Sequence, residues 1–148
     1  MKDNLRNFAT EKSEEIIRNQ KPMDTKTISR VKNALSKKGI VLEQSADFDK
    51  YLIRSGKEAV IFSDGMIVMH TKVSASGFYE ELIHYGQIKN GRAIYGDEKN
   101  MLLMEIEAKE RLIRYQKAYK ITDYEVDVLQ NTLNSYKIQL EELSRGGA

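Results

Sequence analysis

Two nearly all-apolar runs, Ala59-Val60-Ile61-Phe62 and Met66-Ile67-Val68-Met69, flank Ser63-Asp64-Gly65. No other segment leaves the chain so few choices. Asp-Gly between two β-type runs is a favoured hairpin turn. A hairpin with one wet face would alternate apolar and polar residues, and these strands do not, so both faces need cover. The rest of the chain has to supply it. His70 closes the second strand and reads as an edge residue rather than a ligand.

Composition says what the covering material is. One proline and no tryptophan in 148 residues point to long helices with few punctuated loops. The length suits one domain with a real core, and 41% hydrophobic with 31% charged residues is ordinary for a globular protein. The absence of cysteine excludes disulfides, thiolate catalysis and Cys-based zinc sites. A net charge of +2 is too small to mark a nucleic-acid footprint. No apolar run approaches the ~20 residues needed to span a bilayer. The start, Met1-Lys-Asp-Asn-Leu-Arg6, has no apolar core, so the expectation is a chain without its own secretory signal.

Along the chain, residues 1–23 read as a linker-like N-terminal helix with sparse apolar positions at Leu5, Phe8, Ile16 and Ile17, ended by Lys21-Pro22-Met23. Residues 24–148 read as one α+β domain: N-terminal helices, a small antiparallel sheet including the hairpin, a motif helix and a long helical hairpin. Asp24 caps a helix carrying Ile28, Val31 and Leu35, and Gly39 stops it. Gly39 to Leu42 continues as a short strand. Asp47 to Arg54 fits either a helical turn or an irregular strand. Ser74 or Ser76 caps the motif helix, residues 76–90, which Asn90-Gly91 ends. Arg92 to Lys99 is a loop, and Asn100 caps a helix reaching about Lys120. Thr122-Asp-Tyr-Glu125 is a capping box for a last helix whose Val126, Leu129, Leu133, Tyr136, Leu140 and Leu143 form a narrow seam. The two last helices make the hairpin of residues 100–143, followed by a frayed tail from Ser144 to Ala148.

The motif helix has an apolar arc of Phe78, Tyr79, Leu82, Ile83, Tyr85 and Gly86, opposed by Glu80, His84 and Gln87. Glu80 and His84 stand at i, i+4, where a carboxylate and an imidazole reach the same point beside the helix and can grip one metal ion. The same arc also suits a solvated polar face. Glu81 lies to one side. On the following helix, Met101, Leu102, Ala108, Leu112, Ile113, Tyr115 and Tyr119 form an apolar face, with Glu107, Glu110 and Arg114 opposite. Glu105 falls between Leu102 and Leu112, and Lys109 and Gln116 share that inner side. A buried carboxylate needs a partner. Glu105 meets either Lys109, at i, i+4, or His84.

A helix with Glu80-Glu81-x-x-His84, a loop, and a carboxylate 21 residues after the histidine follow the order of HExxH zinc peptidases, with Glu80 in place of the first histidine. Val60 to Val68, Phe78 to Gln87 and Met104 to Ile113 together resemble C-terminal toxin domains of bacterial polymorphic toxins. Those domains resemble zincin-like metallopeptidase toxins with a degenerate HExxH, here EExxHxxQ. The resemblance, over about Gly39 to Leu143, implies an α+β domain with Glu80, His84 and Glu105 as metal ligands and Glu81 and His84 as catalytic residues. Gln87 and Lys109 would line the site. The ion would be zinc or another divalent metal, or the site would hold none. The resemblance also implies a cognate immunity protein and a longer parent chain exported to act in a target-cell cytoplasm, and the leading reading is a metal-dependent, peptidase-like hydrolase whose substrate is protein or unknown. Two other readings stand beside it. One is a metal-free nuclease toxin with His84 as general acid or base and Lys109, Arg92 or Arg114 on phosphate. The other is a non-catalytic interaction domain using the face along Leu129–Leu140.

Overall fold

A computed structural model describes residues 9–62, 64–94 and 96–146. The fold is α+β, with seven helices and a four-stranded sheet among the described residues. By contact the chain divides into two units, residues 1–82 and 83–148. The division falls inside one continuous helix, α4 (Ala75–Lys89), which therefore contributes residues to both.

The first unit is built on the hairpin. Strands β3 (Lys57–Ile61) and β4 (Ile67–Met69) pair antiparallel, with Ala59 opposite Met69, Val60 opposite Val68 and Ile61 opposite Ile67. Phe62 N–H donates to Met66 O, and Gly65 takes φ +94°, which a turn here requires. Ser63 of the expected turn lies outside the described residues. Val60 and Val68 pack on Leu52 with Phe48, Tyr51, Phe62 and Met66 around them. Ala59, Ile61, Ile67 and Met69, on the other face, are buried as well. The all-apolar pattern is thus matched by cover on both faces. Leu52 and Phe48 lie on α3 (Ala46–Ser55), which is capped by Ser45 and ended by Gly56 at φ +69°. That settles the ambiguous Asp47–Arg54 segment as helix. Helix α2 (Thr25–Ser36) starts at Asp24, whose carboxylate accepts from Thr27 N–H.

Two expectations for this unit need correction. The sheet is mixed: in the order β1 (Ala9–Glu11), β3, β4, β2 (Leu42–Glu43), strand β2 runs parallel to β4. The crossover that a parallel pair needs is supplied by α3 and β3, and two residues carry no sequence signal for direction. Residues 1–23 are not one helix either. Ala9–Glu11 form strand β1, antiparallel to β3, and only Glu14–Asn19 form a helix, α1, capped by Ser13. A free sheet edge decides the structure of a polar segment with weak preference of its own. Leu5 and Phe8 lie outside the described residues.

The start of α4 is held by a buried carboxylate. Glu58 of β3, fully buried, accepts from Ser74 N–H (3.0 Å), Ser74 Oγ (3.0 Å) and Gln20 Nε2 (2.9 Å), and pairs with Lys12 Nζ at 3.0 Å. Ser74 Oγ accepts in turn from Gly77 N–H, so Ser74 is the cap. A Cβ on Gly77 would overlap the Glu58 carboxylate. The close approach of helix and acid therefore requires glycine there.

In the second unit, α4 ends in a Schellman motif: Gly91, at φ +75°, donates to Ile88 O, and Arg92 N–H donates to Gln87 O. Helix α5 (Glu98–Arg114) is capped by Asp97 rather than Asn100. Asn100 instead spends its side chain on the preceding loop, accepting from Ile94 N–H and donating to Arg92 O. Tyr95 of that loop lies outside the described residues. The helix stops short of Lys120. Tyr115, exposed and at ψ 30°, breaks it, and a short helix α6 (Gln116–Tyr119) follows, ended by Lys120 at φ +56°. Tyr115, expected on the apolar face, is exposed and has its ring beside Tyr119. Thr122 and Glu125 exchange both capping-box bonds at the start of α7 (Asp123–Gly146). Helices α5 and α7 pack together with Leu129 and Leu133 buried, which makes the expected helical hairpin. Gly147 and Ala148 of the tail lie outside the described residues.

Candidate metal centre

The polar arc of α4 is its buried arc. Glu80, Glu81, His84 and Gln87 are each at most 3% exposed, whereas Leu82, Ile83, Tyr85 and Gly86 are only half-buried. The alternative of a solvated polar face is therefore excluded. Enclosing four such groups costs several kcal/mol each unless they find partners, so the partners are the informative part.

Within the second unit, α5 supplies them. His84 Nε2 lies 3.2 Å from Glu105 Oε1, and Lys109 Nζ donates to that same oxygen at 3.0 Å. Both contacts anticipated for Glu105 are thus made together. Lys109 is itself buried, with its ammonium 5.4 Å from the centre of the Tyr136 ring. On its other edge, His84 Nδ1 is 2.8 Å from Gln87 Oε1. Gln87 Nε2 donates to Met104 O (3.1 Å) and to Glu107 Oε1 (2.7 Å). Glu107, expected to be solvated, also takes Arg92 NH1 at 2.8 Å and NH2 at 3.0 Å. The Arg92 guanidinium, helped by Gln87, holds the Glu107 carboxyl below its ordinary value of 4.5, against a partial opposing effect of burial.

Glu80, one turn before His84 on the same helix, completes a group. Glu80, His84 and Glu105 each offer one ligand atom, and these atoms lie within 4.8 Å of one another. The group could hold a metal ion. The donor chemistry fits: two carboxylate oxygens and one imidazole nitrogen, with no sulfur, suit zinc and harder divalent ions. The His84–Glu105 separation of 3.2 Å also fits, since two ligands about 2.0–2.1 Å from one tetrahedral ion stand about 3.3 Å apart. The opposing feature is the Lys109 ammonium, a positive charge already on Glu105.

Glu81 is not a member of that group. Its Oε2 accepts from Thr10 Oγ1 of β1 at 2.6 Å, inside the first unit. The cations considered for phosphate are mostly committed: Arg92 to Glu107 and Lys109 to Glu105, while Arg114 is exposed. His70 is buried, and its Nδ1 accepts from Lys72 N–H, so it stands apart as a strand-end residue. Sequence reasoning missed Thr10, Arg92 as the partner of Glu107, and the Met104 carbonyl. None of these carries a local signal, because each acts across a gap in sequence. No described helix is long and apolar enough to cross a membrane. No protein-family model, curated protein or solved structure matches the chain.

Proposed function

We propose that this chain is a metal-dependent hydrolase domain of the toxin type, with Glu80, His84 and Glu105 as ligands and Glu81 as general base. The observation that carries the metal part is the convergence of two carboxylates and an imidazole at buried or nearly buried positions on two helices. A divalent ion in such a site supplies a Lewis acid and makes a water nucleophilic near neutral pH. The chain's own residues would do the rest. Glu80 follows helical geometry to within one turn of His84, Glu105 comes from α5, and enclosure excludes competing water. Glu81, next to the first ligand and steadied by Thr10, would take the proton. The toxin part, with its peptide substrate, immunity partner, parent chain and target-cell destination, is supported by the sequence resemblance.

The test is elemental analysis of protein purified without chelators, together with growth of cells expressing wild type or Glu81→Gln. Bound metal near one equivalent and loss of toxicity in Glu81→Gln are the expected outcomes. Protein that binds no added divalent ion, with toxicity intact in Glu81→Gln, would sink the proposal. A second reading is favoured by the Lys109–Glu105 bond, namely that the cluster is an internal polar network of a non-catalytic interaction domain. It predicts that His84→Ala lowers stability and changes no activity.

A further inference from the structure

The side-chain amide of Gln87 has one orientation that its neighbours accept. The end that faces Met104 O and Glu107 Oε1, at 3.1 and 2.7 Å, meets two acceptors and must be the nitrogen. Arg92 contacts both oxygens of Glu107, which keeps that carboxylate ionised and without a proton to give. Turning the amide over would set oxygen against two oxygens. Gln87 Oε1 therefore faces His84 Nδ1 at 2.8 Å, and since it can only accept, Nδ1 carries the hydrogen. In the neutral ring Nε2 then bears the lone pair. That atom sits 3.2 Å from Glu105 Oε1, the oxygen that also accepts from Lys109 Nζ.

We infer that Gln87 is a positioning residue: backed by Glu107 and the Met104 carbonyl, it holds His84 as the Nδ1–H form and presents Nε2 as the ligand atom. The ligand consequence rests on the metal reading above, whereas the proton on Nδ1 does not. Metal-bound histidines elsewhere are oriented through the remote ring N–H in the same physical way, usually by a carboxylate or carbonyl. Here an amide does it, and the amide is itself locked from behind. Every residue in the chain of contacts, from Arg92 through Glu107 and Gln87 to His84, belongs to one unit. The arrangement therefore needs no further assumption about the fold.

The decisive measurement is the ring 15N–1H spectrum of His84 in the full chain, first metal-free and then with zinc ion added. Nδ1 is expected to carry a proton in both states, and zinc is expected to shift Nε2 alone. Nδ1 protonated with no zinc-dependent change at Nε2 would keep the role of Gln87 and refute the metal reading. An unprotonated or zinc-bound Nδ1 in either state overturns the inference. Gln87→Met, of similar volume, should release the tautomer and weaken zinc binding on the order of 10- to 100-fold. Gln87→Glu retains an acceptor opposite Nδ1 and should keep the proton there, while its second oxygen meets Met104 O and Glu107 and should lower stability. If Gln87→Met fails to fold, the wild-type and Gln87→Glu spectra still decide. Identical tautomer and zinc affinity in all three proteins would also overturn it.

Discussion

Among the described residues, Glu58 and Glu105 are each enclosed beside a lysine, and they are built on different principles. Glu58, in the first unit, is fully buried and receives two bonds from Ser74, one from Gln20 and an ion pair from Lys12. Its partners surround it from three segments, and Gly77 lets the helix close on it. Glu105, in the second unit, keeps 16% of its side chain exposed and gathers Lys109 and His84 on a single oxygen, Oε1. The first arrangement spreads donors over both oxygens of the acid. The second places one ammonium and one imidazole on the same oxygen, in a group that with Glu80 could hold a metal ion. Burial of a carboxylate therefore distinguishes nothing by itself, while the distribution of its partners does.

The largest effect should come from Lys12→Ala. It leaves the enclosed Glu58 carboxyl with neutral donors only, and breaking a buried pair in this way costs about 3–5 kcal/mol. Urea unfolding followed by circular dichroism would read it. A loss below about 1 kcal/mol would mean that water reaches Glu58 and that the contrast with Glu105 is weaker than the bonding suggests.

Lys109→Met sharpens the comparison from the other side. It removes the ammonium that shares Glu105 Oε1 with His84 and keeps an apolar stem against Tyr136. A divalent ion then meets no competing charge on Glu105, so zinc affinity should rise, on the order of tenfold for one nearby charge at intermediate dielectric. Zinc should also raise the melting temperature of the variant in a concentration-dependent way. Isothermal titration and thermal melts with and without zinc would show both. A stability loss as large as that of Lys12→Ala, with no zinc response, would place Glu105 in the same structural class as Glu58.

What could be read from the sequence divides along the same line between local and distant partners. Asp24, the Thr122–Glu125 box, the Asp64-Gly65 turn and Gly91 are recognisable because each bond they make closes within a few residues. The inward placement of Glu105 was legible too, since a helical wheel fixes it between Leu102 and Leu112. The burial of Glu80, Glu81 and Gln87 was not, because the apolar arc beside them looked like the better core face. Periodicity identifies two faces of a helix but not which one the rest of the chain will cover. Strand β1 and the Thr10–Glu81 bond, 71 residues apart, were out of reach for the same reason. So was the end of α5 at Tyr115, where the backbone leaves helical geometry on an exposed residue.

The smallest effect concerns the outer end of the chain of contacts, where Arg92 meets Glu107. Arg92 lowers the pKa of Glu107, so folding favours the ionised carboxylate. That contribution is fully present above the ordinary value of 4.5 and disappears as the pH falls through the lowered folded-state value. Both side chains are nearly half exposed, and solvent screening keeps such a pair below about 1 kcal/mol. Arg92→Met should therefore be slightly less stable than wild type at pH 7, and the two should converge as the pH falls towards 3. Denaturant midpoints across that range would measure it. Convergence on going to high pH instead would give the linkage the opposite sign, and Arg92 could not then be what holds Glu107 as an acceptor for the Gln87 amide.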